Sequence, residues 1–111
     1  MRALALVLAL LLAAPAGAGQ KVYEGEEAAA LRCANMLAWT GVALEEAGLI
    51  GRPEMEVMLG ITVLILERHV SGTWAEKKAA MEVVRQRRSF EETLEDYRRH
   101  APGCLERFSI N

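Results

Sequence analysis

After Gln20 the chain carries proline at only two positions, Pro53 and Pro102, and no segment alternates apolar and polar residues as a half-buried strand does. Ala, Leu, Glu, Arg and Met dominate instead, and these residues lose least on entering a helix. The expectation is an all-α fold, a small four-helix bundle-like domain. A chain of 111 residues has material for one modest core.

The N-terminal stretch MRALALVLALLLAAPAGA sets the context. It has one charge at Arg2, an apolar run from Ala3 to Ala14, a helix-breaking Pro15 and then Ala16-Gly17-Ala18. That order matches the charged, apolar and small-residue regions of a secretory signal, and the run is too short to span a bilayer. Residues 1–18 are therefore expected to be removed and 19–111 to form a single helical domain, exported to a periplasm or, failing that, to the extracellular space. Loss of Arg2 leaves 12 basic against 15 acidic side chains. This balance lacks the clustered basic face that nucleic acid requires. Arg85, Arg87 and Arg88, with Lys77 and Lys78 upstream, are interleaved with Glu76 and Glu82 and read as a solvated helix face.

Exported proteins meet oxidising conditions, so the only two cysteines, Cys33 and Cys104, read as one disulfide. Closing a loop of about 70 residues stabilises by roughly 4 kcal/mol in the chain-entropy picture, comparable to the net stability of a small domain. The bridge would staple the last segment onto the first helix. A Cys-x-x-Cys redox spacing is absent, and a zinc site would need more ligands than His69 and His100 can add. No metal or other cofactor is expected.

Local signals place four helices. The first should run from about Glu26 to Ala47 and stop at Gly48, with Ala30, Cys33, Leu37, Gly41 and Leu44 on an inward arc and Arg32, Asn35 and Glu46 on a polar one. Trp39 falls on the polar side. It is either packed by a neighbouring helix or, with Trp74, a candidate interface residue, since tryptophan is enriched among binding hot spots. Residues 53–70 contain an uncharged run from Val57 to Leu66, bounded by Pro53 and Glu54 at one end and Arg68 and His69 at the other. Its apolar character predicts a central helix surrounded on all sides. Thr73-Trp74-Ala75-Glu76 and Ser89-Phe90-Glu91-Glu92 each match a capping box and open a third helix, Trp74 to Arg88, and a fourth, Phe90 to about His100. Pro102-Gly103 should then break the chain, delivering Cys104 and placing Leu105 and Phe108 as lids on the core.

Catalytic motifs are absent. Neither a nucleophile elbow, a His-Glu-x-x-His pair nor a glycine-rich phosphate loop occurs. Glu67 with His69 is the most suggestive pair, yet two positions apart on a helix they diverge by about 200°. No catalytic residue is assigned, and a small hydrolase using Glu67 and His69 is the weakest reading. In export signal, length, helicity and single disulfide the chain is similar to the small acid-stress chaperones of the bacterial periplasm, a likeness of shape that carries no residue across. It implies a second reading, in which helix 53–70 is exposed to a lipid, an apolar ligand or an unfolded client. The principal expectation is a non-catalytic protein that binds another protein or a second copy of itself.

Overall fold

A computed structural model describes residues 21–111; the expected signal segment, residues 1–18, lies outside them. The described residues form four helices, α1 (Gly25–Glu46), α2 (Arg52–His69), α3 (Trp74–Arg87) and α4 (Phe90–Arg107), with no strand among them. The fold is all-α, as composition predicts.

The sequence places the greasy segment α2 at the centre, and this is corrected. α1 is the axis: α2, α3 and α4 each pack against it and barely touch one another. Its buried residues are mostly small, with Ala29, Ala30, Ala34 and Gly41 spread around the helix beside Leu31, Cys33, Met36 and Leu37. Small side chains let neighbouring backbones come close on several sides at once, which a wide stripe of leucines does not. At Gly41 an added Cβ would lie 3.1 Å from Met58 Cβ and 3.2 Å from its sulfur, so the glycine admits α2 to contact. α2 in turn buries only Thr62, Ile65 and Leu66 fully.

One buried polar group on α1 is left without a partner. Thr40 is wholly buried, and its hydroxyl finds no acceptor or donor among the described residues. Thr62, equally interior, donates to the Met58 carbonyl at 2.9 Å. An orphaned hydroxyl carries its full desolvation penalty. Thr40→Val, which keeps the shape and removes the hydroxyl, is expected to raise stability by about 1 kcal/mol, whereas Thr62→Val should lower it. Urea unfolding of the two variants beside the parent checks the opposite signs.

Both capping boxes form as expected. The Thr73 hydroxyl accepts from Glu76 N–H at 3.1 Å while Glu76 accepts from Thr73 N–H at 2.8 Å, and Ser89 with Glu92 repeats the exchange at 3.1 and 3.0 Å. Each satisfies two backbone donors that a helix start leaves open.

The predicted break at Pro102-Gly103 does not occur: α4 continues through both to Arg107. Proline inside a helix removes one backbone bond and crowds the preceding turn, at a cost of about 3 kcal/mol. On either side of it Ala101, Cys104 and Phe108 are all buried against the core, and Cys104 is covalently tied to Cys33 with the two Cα atoms 5.8 Å apart. Tertiary packing and the staple thus hold the last turn against the local preference. Phe108 closes the core as predicted, but Leu105, expected to be a second lid, is 40% exposed.

The entry segment is anchored as well. Tyr23 Oη donates to the Ser71 carbonyl at 2.7 Å, Lys21 Nζ to Ser71 Oγ at 2.6 Å, and Glu27 accepts the Ser71 N–H at 2.5 Å. Gly72 lies at the heart of this cluster with φ +97°, and a Cβ there would sit 2.8 Å from Tyr23 Oη and 2.9 Å from Glu76 Oε1. Gly72→Ala is expected to destabilise by about 2 kcal/mol, from the left-handed backbone and the crowding together. Gly103→Ala meets open space at ordinary helical backbone and should be neutral or stabilising. A thermal melt of each variant separates them.

Candidate functional site

The residues singled out for chemistry do not converge. Glu67 is exposed, while His69 is turned to the chain's end, its Nε2–H donating to the Ser109 carbonyl at 2.7 Å and its ring meeting Phe108 edge-on at 5.5 Å. The imidazole of His69 therefore works as a clamp between α2 and the tail after α4. His100 is exposed on α4. Among the described residues no three His, Cys, Asp or Glu side chains gather as a metal site would need.

The two tryptophans part company. Trp39 is half-buried where α1 meets the α3–α4 junction, with the Phe90 ring 5.7 Å away and the Arg85 guanidinium 5.8 Å from its ring centre. Its place on the polar side of α1 is covered by neighbouring helices. Trp74 is 46% exposed at the start of α3, with the Lys77 ammonium 5.0 Å from its ring centre. The apolar stem of Lys77 is buried, which leaves the charged tip to lie over the ring.

Two other features stand out, and neither involves a residue named for catalysis. The first is the outer side of α2. Val57 is 62% and Val63 45% exposed, with Gly60 open between them, and Val42 and Leu49 are exposed on the same α1–α2 hairpin. The polar ends of this stripe are Glu54 and Glu56 in the first turns and Glu67 and Arg68 in the last.

The second is a cleft of about 590 Å³ between α1, the end of α3 and α4, floored by the Cys33–Cys104 bridge with Met36, Val84 and Phe108. Four arginines line it. Three are held by carboxylates: Arg88 forks onto Asp96 at 2.9 and 3.1 Å, Arg99 meets Glu95 at 2.8 Å, and Arg107 pairs with Glu26. Hydrogen bonding from Arg107 holds the Glu26 carboxyl below its ordinary value, and the backbone N–H of Ser71 does the same for Glu27. Arg32 makes no ion pair or side-chain hydrogen bond among the described residues. Asn35, read from the sequence as a polar-arc residue, is buried against the same cleft.

No described helix is long and apolar enough to cross a membrane, and the disulfide is compatible with an oxidising, exported setting. Comparison with family models, with curated proteins and with solved structures found no match to this chain.

Proposed function

We propose that this is an exported, non-catalytic binding protein that acts as a self-associating unit through the outer stripe of α2. The observation that supports this reading is the exposure of Val57 and Val63 on the one helix whose central ten residues carry no charge. An isolated exposed valine is ordinary, but Val57 and Val63, about 120° apart around the helix with the open Gly60 between them, bound an outer face whose stretch from one to the other carries no charge. A second copy is the occupant argued for: in an antiparallel crossing centred near Gly60 the same uncharged face meets itself and the helix dipoles oppose. Gly60 itself adds no side chain at the crossing.

Light scattering across a concentration series tests this. The mature protein is expected to approach twice the chain mass as concentration rises, and Val57→Glu with Val63→Glu to remain a single chain with unchanged helicity. A parent that stays monomeric throughout, or a double variant that dimerises equally well, removes the proposal. Should the parent be monomeric at neutral pH yet bind a hydrophobic dye strongly on acidification, the chaperone-like alternative takes its place.

A further inference from the structure

The cleft over the disulfide is separate from the outer face of α2, contributing none of its lining from that helix. We infer that it binds a small monoanion with an apolar body, such as an aliphatic monocarboxylate, whose charged group is taken by Arg32 and Asn35. The volume, about 590 Å³, lies within the roughly 300–1,000 Å³ usual for small-molecule sites. Its floor is apolar: the half-buried Val84 sits with Met36, Phe108 and the bridge, which are nearly closed to solvent, so an apolar body has a modest surface to cover.

The polar inventory sets the charge of the ligand. Arg88, Arg99 and Arg107 already face carboxylates: Arg88 has Asp96 and Glu92, Arg107 has Glu26, and Arg99 shares Glu95 with Arg98. Arg32 remains with its fork of donors free, which matches one carboxylate bidentately. Asn35, only 5% exposed, lines the cleft one helical turn after Arg32. Its amide can donate to the same carboxylate that Arg32 takes, and the alkyl or aryl remainder covers the floor. A compact dianion such as phosphate would find one free guanidinium for two charges and leave the apolar floor wet.

The probe is decanoate, titrated into the disulfide-intact protein and followed by the side-chain NMR signals of Arg32 and Asn35 and by calorimetry. Saturable binding is expected, with both signals shifting together. Arg32→Gln, at an exposed position that should not disturb folding, is expected to weaken it at least tenfold. Decanol, which has the body without the charge, and inorganic phosphate, which has charge without the body, should each bind at least tenfold more weakly. The Val57→Glu/Val63→Glu variant should bind decanoate as the parent does, which keeps this test independent of self-association. Absence of saturable binding, equal binding by Arg32→Gln, or decanol binding as tightly as decanoate would overturn the inference.

Discussion

Breaking the Cys33–Cys104 bridge is expected to remove about 4 kcal/mol of stability, the chain-entropy value for a loop of this length. The two residues are 71 apart in sequence, so nearly the whole described fold lies within the loop. At roughly 0.05–0.15 kcal/mol per residue a domain of this size has about 5–14 kcal/mol in all, so the bridge is a large share of it. The damage should start in α4. Without the bridge, the turn after Pro102 is held by Phe108 and the His69 clamp on the tail, and the Arg107–Glu26 pair at its end is solvent-exposed and worth little by itself. Urea unfolding with and without reductant, or of Cys33→Ala/Cys104→Ala, measures the loss. Coincident midpoints would mean that packing alone secures α4.

Truncating α2 should give opposite answers on its two sides. Ile65 is fully buried against α1, and Ile65→Ala is expected to cost about 2–5 kcal/mol through lost burial and the cavity left behind. Val57, on the outer side of the same helix, should change the stability of the isolated chain by about 0.5 kcal/mol or less when replaced by alanine. Measured at low concentration, where association does not contribute, this contrast maps the single line along which α2 meets α1. Similar costs at both positions would restore the picture of a helix enclosed on all sides.

Features set by local chemistry were legible in the sequence. The capping boxes at Thr73 and Ser89 involve side chains bonding backbone within three residues, so no distant contact decides them. The disulfide was legible by arithmetic and compartment, since two cysteines allow one intramolecular pairing. What hydropathy hid was which helix lies at the centre. The uncharged run Val57–Leu66 pointed to α2, whereas centrality came from the small residues Ala30, Ala34 and Gly41 that let helices approach closely. Pro102 misled for a related reason: its local penalty is real, and a covalent tie two residues later outweighs it. Trp39 was left between packing and interface because a helical wheel of α1 does not contain Phe90 or Arg85, which settle it as packed. The cleft was invisible for the same reason, its walls coming from three helices.

The central claim is that α2 spends one face on α1 and offers the other to a second copy. It is tested most directly by isotope-filtered NMR on a mixture of labelled and unlabelled protein, which reports only contacts between copies. Intermolecular signals are predicted at the methyl groups of Val57 and Val63. Their absence at concentrations that saturate the scattering mass, or their appearance instead at Trp74, Val83 or Leu105, would place the interface elsewhere and contradict the claim.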